Sequence, residues 1–390
     1  MKQNEKLLLT SFIFTIFVVW LHAGEPLLSY VPGQVAVPGF FMLSGYLFMK
    51  GIPSGDAAAE KEAVTGKLKR RVNTLVIPYL LWNAIYFVIY LVTGRAQIGE
   101  IFEAVFLYRC NPVFWYMFQL ILITVLAPAV YYIMKKGRAA ALILLAAIFT
   151  LAVLYAKLPF HYCNEDALFY YCLGGYLMLR ERYHASAPFR SFGQFSLRCE
   201  TRCGAGAARN PLAQPEACAE DCSCSRTEEK PDGGRIATSP ASGRVAACCT
   251  RSPEKAMRRV PPAFVFIAAT AVFLLAREVL PADLRNISEV GYRAAGALAV
   301  YFLVELVYEK KGGIEVRPWM KVNFFVYATH YMIIRIIWAL ETAAGLNGNQ
   351  TANVITYLVM PAICIGTAYG LSVIMKKYVP KVYSVLTGGR

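Results

Sequence analysis

Long apolar runs separated by short polar and basic stretches set the pattern of this chain. A helix needs about 20 mostly apolar residues to cross ~30 Å of hydrocarbon. Ten segments reach or approach that length: 7–24, 33–50, 72–93, 112–134, 139–157, 166–180, 263–280, 290–308, 322–341 and 352–375. The second and sixth are short and carry Pro38, Gly39, Gly45, Gly174 and Gly175, which spanning helices tolerate where neighbours cover the backbone. The pattern predicts an all-α fold, a polytopic membrane bundle of about ten transmembrane helices. Lys2 and Lys6 precede the first apolar run in the manner of a signal peptide. The following His22-Ala23-Gly24-Glu25-Pro26 has no small-x-small cleavage site, so the run is expected to stay as the first helix.

Composition agrees. Hydrophobic residues make up 57% of the 390 positions, charged residues 17%, and the mean hydropathy is +0.44. A water-soluble fold of this size has no way to hide so much apolar surface, and 13% aromatic residues exclude a wholly disordered chain. The net charge of +15 raises the question of nucleic acid. With ten alternating spans, however, the basic residues gather on one side, at the N-terminus and in loops 50–71, 135–138, 310–321 and 376–390. The opposite side holds only Arg95, Arg109, Lys157 and Arg285. This bias places both termini in the cytoplasm and accounts for the charge with a lipid bilayer as partner and no nucleic acid. Lys67-Leu68-Lys69-Arg70-Arg71 is suited to anionic lipid or a phosphorylated cofactor.

The chain divides into residues 1–182 with the first six spans, an insert at 183–262, and residues 263–390 with the last four. The insert is low in complexity and holds seven of the eleven cysteines: Cys199, Cys203, Cys218, Cys222, Cys224, Cys248 and Cys249. Their spacing lacks a paired C-x2-C rhythm and a nearby histidine, so no metal site is expected. The insert falls on the cytoplasmic side, where disulfides are disfavoured. Its composition fits a disordered loop, or a stretch translated out of frame and then restored. No chemistry is assigned to it.

Ionisable groups inside hydrocarbon cost roughly 2.5–3.5 kcal/mol each on insertion scales, which makes them functional candidates. They are His22, Arg277, Glu278, Arg293, Glu305, His330 and Arg335. Glu305 and the Arg277–Glu278 pair sit near span ends and are placed to snorkel. His22, at the end of the first span, has the proton affinity to take a proton from an attacking hydroxyl and return it. A buried histidine bonded to a backbone carbonyl is the alternative. His330 lies mid-helix, and Arg335, five residues on, points about 140° away. Arg335 suits pairing with Glu341 or an anion.

Several pieces in order carry a family resemblance. The first helix ends in Val-Val-x-x-His-Ala. Then come Val37-Pro38-Gly39-Phe40-Phe41-Met42-Leu43-Ser44-Gly45-Tyr46-Leu47-Phe48 and Lys69-Arg70-Arg71-Val72-Asn73-Thr74-Leu75-Val76-Ile77-Pro78-Tyr79-Leu80-Leu81-Trp82-Asn83. Asn111-Pro112-Val113-Phe114-Trp115-Tyr116-Met117, Phe169 to Leu177, and Phe324-Phe325-Val326-Tyr327-Ala328-Thr329-His330 follow. In this order the pieces resemble the bacterial integral-membrane acyltransferase family 3, O-acyltransferases of surface glycans, over nearly the whole chain except the insert.

The resemblance implies a ten-helix bundle of the bacterial inner (plasma) membrane. It would move an acyl group, usually acetyl from the co-substrate acetyl-CoA, onto a glycan hydroxyl, working beside glycan-biosynthesis enzymes. His22 inherits the general-base role, with Glu25 assisting. Lys69, Arg70 and Arg71 are expected to hold the CoA phosphates. Ser44, Tyr46, Asn83, Trp115, Arg293, His330 and Arg335 are candidates for binding substrate or stabilising the oxyanion. The family usually carries an arginine eleven positions before the histidine. Here that position is Ser11, and Arg293 or Arg335 is the candidate replacement. No nucleophile elbow and no P-loop is present. The competing reading is a transporter or flippase of a lipid-linked glycan with no acyl-transfer chemistry.

Overall fold

The structure, a computed structural model, describes residues 2–24, 26–53, 55–156, 166–186, 260–346 and 348–389. Most of the 183–262 insert lies outside the described residues, as does Glu25. The rest form one compact unit built from both sides of the insert.

The helices are α1 (Lys2–His22), α2 (Pro26–Met49), α3 (Ala57–Arg71), α4 (Ile77–Val92), α5 (Ile101–Phe106), α6 (Trp115–Ile133), α7 (Ala139–Ala156), α8 (Ala167–Ser186), α9 (Pro262–Val279), α10 (Ala282–Lys310), α11 (Asn323–Ala343), α12 (Gln350–Tyr378) and α13 (Pro380–Thr387). Each of the ten predicted segments falls on one of them. Seven helical stretches among the described residues are long and apolar enough to cross a membrane: Asn4–His22, Ala57–Val92, Pro112–Leu154, Pro262–Val279, Leu284–Lys310, Asn323–Ala343 and Gln350–Tyr378. The chain is a multi-pass membrane protein. The stretch from Pro112 has 43 residues, about twice the length one crossing requires. It turns at Gly137 (φ +76), which separates α6 from α7. The glycine-bearing helices α2 and α8 fall outside those seven stretches.

Helix α3 was not foreseen. It is polar, with Asp56 capping its N-terminus through a side-chain bond to the Ala58 amide and Lys69, Arg70 and Arg71 in its last turn. Both ends match the helix macrodipole. The short α13 was not foreseen either. It folds back against α4 and α11, where the Trp82 indole donates to the Leu386 carbonyl at 3.0 Å and Tyr383 packs on Phe325.

Lipid tails are as apolar as leucine, so these helices associate by close packing rather than by escape from water. The tightest packing joins α2 and α8. A Cβ on Gly45 would lie 2.0 Å from the Tyr171 carbonyl oxygen, and one on Gly174 would lie 1.7 Å from that of Met42. Both neighbours are backbone, so the two helices touch main chain to main chain. On α2's other faces Gly39 receives the Phe14 ring of α1, and Gly296 of α10 receives Val35.

Gly174→Ala is therefore expected to cost at least about 1–3 kcal/mol through overpacking, read as a lower thermal transition of the detergent-solubilised protein. Gly66→Ala in α3, where nothing lies within 4 Å of the added carbon, is the control. It should leave the transition unchanged or raise it, because alanine favours helix by about 1 kcal/mol over glycine.

Candidate functional site

His22 is the last residue of α1. The helix stops there because Gly24 takes φ +103, and a Cβ on it would lie 3.2 Å from the Trp338 ring. Conformation and space both call for glycine. The turn leaves the half-buried His22 ring against α11, with its centroid 5.3 Å from that of His330 and 6.3 Å from that of Tyr331. Two histidines 308 positions apart in sequence thus form one pair.

His330 is fully buried. Its Nδ1 lies 2.6 Å from the Tyr327 carbonyl oxygen, while its Nε2 is buried without a hydrogen-bond partner. A carbonyl only accepts, so Nδ1 carries the proton and Nε2 the lone pair. The surroundings are aromatic. The Tyr327 ring stacks on Phe114 (5.5 Å, 9° between planes), and its hydroxyl donates to the Val113 carbonyl. The Tyr86 hydroxyl of α4 donates to the Ala328 carbonyl at 3.0 Å. Tyr116 lies against Tyr327 on one side and Phe41 on the other. Three of the family-like sequence pieces, around Phe41, Phe114 and Tyr327, therefore meet beside the histidine pair. Asn111, ahead of Pro112, is fully buried with both amide atoms unpartnered.

The other candidates divide by location. Trp115 is half-buried at the start of α6, beside Tyr116. Asn83 is fully buried on α4, three residues before Tyr86. Ser44 and Tyr46 do not join His22. Leu21 packs at Gly33 of α2, and Ser44 lies eleven residues further along, roughly 16 Å at 1.5 Å per residue. The Tyr46 hydroxyl is bound instead to Glu181, which also accepts from Tyr301 at 2.7 Å.

Arg293 is held by Asp166 and Glu289, at 3.3 and 3.2 Å, and Arg277 joins Glu289 at 3.2 Å. Arg335 is exposed on α11, and Glu341, its suggested partner, accepts from Thr356. The side chain that meets Ser11 belongs to neither arginine. The Asn323 amide donates to the Ser11 hydroxyl at 3.1 Å. Glu305, expected to snorkel, pairs with Lys6 at 3.1 Å.

A second cluster sits at the far end of α2. The last carbonyls of a helix have no partners within it and carry partial negative charge. Lys67 donates to the carbonyls of Lys50 (2.7 Å) and Leu47 (3.3 Å), Arg182 to that of Met49 (2.9 Å), and Arg71 to that of Ser44 (3.4 Å). Lys67 belongs to the polar α3. Lys69 and Arg70 point to the exposed surface. Among the described residues no group of three metal-ligating side chains occurs.

Sequence reasoning had missed the roles of Tyr327, Phe114, Tyr116 and Asn111. Their only signal was membership of the motif pieces. Residues 12–193 match a family described as an acyltransferase domain, acyltransferase family 3. No curated protein and no solved structure matches the chain.

Arg293 has a side chain 21% exposed and faces two carboxylates at 9% and 25%. Arg293→Met takes the guanidinium away from Asp166 and Glu289, of which Glu289 keeps Arg277, and is expected to cost about 3–5 kcal/mol. Adding Asp166→Leu should recover part of that loss, and thermal unfolding in detergent of the single and double variants checks it.

Proposed function

We propose, from the match of residues 12–193 to acyltransferase family 3 and the membrane-spanning helices, that this membrane protein is an acyltransferase that moves an acyl group, acetyl in the first instance, from acyl-CoA to a hydroxyl of an exported glycan. The observation that carries the reading is the position of His22, at a helix end, half-buried, and packed against a buried histidine and a wall of aromatic rings.

His22 acts as general base. The acceptor hydroxyl gives its proton to the imidazole as its oxygen attacks the thioester carbonyl. The tetrahedral intermediate expels the sulfur, and the imidazolium returns the proton to it. One C–O bond forms, one C–S bond breaks, and the products are the ester and free thiol. The C-terminal carbonyls of α1 present partial negative charge to the imidazolium during this cycle. Asn83 of α4, Asn111 just before Pro112 and Trp115 at the start of α6 are the candidates for binding the acceptor or the oxyanion. Glu25, three residues beyond His22, is proposed to assist.

The donor's phosphates sit at the basic end of the bundle. Lys69 and Arg70 are exposed there, and Arg71 stands beside them with one nitrogen on the Ser44 carbonyl. The concentration of Lys and Arg at this end supports assigning it to the cytoplasm, where acyl-CoA is made. The membrane is then the plasma membrane of a bacterium, and the glycan is met on the opposite side.

The test is transfer of label from radioactive acetyl-CoA to the glycan fraction of membranes containing the chain. His22→Ala should lower the rate by about 10²–10⁴, the contribution of general acid–base catalysis, without loss of folded protein. Unimpaired acylation in that variant together with blocked glycan export would favour the transporter reading. Lys69→Gln with Arg70→Gln should raise the KM for acetyl-CoA several-fold, and added salt should weaken donor binding to the wild-type chain more than to this variant.

A further inference from the structure

We propose that His330 is a positioning residue for His22: its Nε2 accepts the N–H of the His22 imidazole and holds that ring with its other nitrogen turned to the attacking hydroxyl. The inference rests on the reading of His22 as the base.

Four observations lead to it. The bond from Nδ1 to the Tyr327 carbonyl fixes the tautomer of His330, so the buried and unpartnered Nε2 is an acceptor. A buried acceptor calls for a donor. Three neighbouring hydroxyls are committed elsewhere: that of Tyr327 to Val113, that of Tyr86 to Ala328, and that of Thr329 to the Phe325 carbonyl at 2.8 Å. The His22 ring packs beside His330, at 5.3 Å between centroids and tilted by 44°. A neutral imidazole has one N–H and one lone pair. Giving the N–H to His330 leaves the lone pair as the only basic position on His22.

The roles do not exchange. His330 is fully enclosed and tied to α11 through its own backbone, whereas His22 is half-buried at a helix end. The enclosed ring orients and the accessible ring reacts. When His22 takes the hydroxyl proton it becomes an imidazolium with two N–H groups. The one directed at His330 then makes a charge-assisted bond, stronger than the neutral one. His330 keeps its own proton on Nδ1 throughout and is neither protonated nor deprotonated in the cycle.

The chain has only four histidines, so a protein labelled with 15N-histidine gives a tractable spectrum. In nanodiscs, solid-state NMR should show His330 protonated at Nδ1, with its Nε2 correlated to an N–H of His22. In His22→Phe the Nε2 resonance should move. A proton on Nε2 of His330, or no correlation between the rings, overturns the proposal.

Kinetics test it independently, with labelled acetyl-CoA and membrane glycan as substrates. His330→Leu should lower kcat by about 100-fold, in the range general-base catalysis contributes, and leave the KM for acetyl-CoA unchanged. His330→Gln, which keeps an acceptor, should restore most of the rate. In a His22→Ala background, His330→Leu should cause no further loss. Equal losses in the Leu and Gln variants, or a loss that persists without His22, overturns the positioning role. Should His330→Leu fail to fold, the spectrum and the Gln variant still decide. Failure of the His22 reading would look different: His22→Ala alone would retain full transfer.

Discussion

The bundle depends on one close approach, the main-chain contact between α2 and α8. In hydrocarbon no hydrophobic force selects one helix partner over another, so position is set by which backbones are able to come close. Gly45 and Gly174 allow that approach, and it fixes the axis of α2. Helix α1 then doubles back along α2 from the turn at Gly24, which sets the height of His22. From α2, Phe41 reaches Tyr116, Tyr116 reaches Tyr327, and Tyr327 stands one turn ahead of His330. The histidine pair thus inherits its geometry from glycines on helices to which neither histidine belongs.

A second constraint acts on polar groups. With no water in the hydrocarbon, a buried hydroxyl or N–H has to find a protein acceptor. This chain answers repeatedly with backbone carbonyls: Tyr79 on Phe106, Tyr86 on Ala328, Trp82 on Leu386, and Thr124, Thr150 and Thr329 each on the carbonyl four residues back. Bonds of this kind tie side chains to the main chain, and at Phe106 and Leu386 they use last-turn carbonyls that the helix itself leaves without a partner. The Nε2 of His330 and the Asn111 and Asn83 amides are among the buried polar atoms that have no such partner.

The spans were legible because hydropathy and length report the one property a membrane demands of a helix. Where a helix extends beyond hydrocarbon that signal fades: α10 begins at Ala282, eight residues before the apolar run, and its first turns carry Arg285 and Glu289. Polar α3 and the eight-residue α13 escaped for the same reason. The candidate site was half legible. His22 and His330 were each visible as costly intramembrane groups, yet spacing along a chain cannot show that two rings meet from helices 308 positions apart. The expected substitute for arginine at Ser11 was sought among cations. In the structure the Asn323 amide meets the Ser11 hydroxyl, a pairing that imports no charge. Arg293 was visible as a buried cation, but its partners Asp166 and Glu289 come from another helix end and from its own preceding turn.

The separation of the two clusters constrains the donor under the proposed reading. The carbonyls that the cations around the end of α2 hold, Ser44 to Lys50, lie eleven to seventeen residues beyond Gly33, where Leu21 packs, roughly 16–25 Å along that helix. Only a donor with a charged head, a long and nearly neutral arm, and its reactive carbonyl at the far tip can engage both at once. An acyl phosphate, with charge and carbonyl on adjacent atoms, cannot do so. The arm has to cross a region walled by aromatic rings, where a thin thioester chain pays little desolvation and a second charged group would cost several kcal/mol. Phosphates at one end and base at the other therefore favour a nucleotide thioester over any compact activated acid. Under that reading the charged head would stay at the basic surface while only the acyl end reached His22.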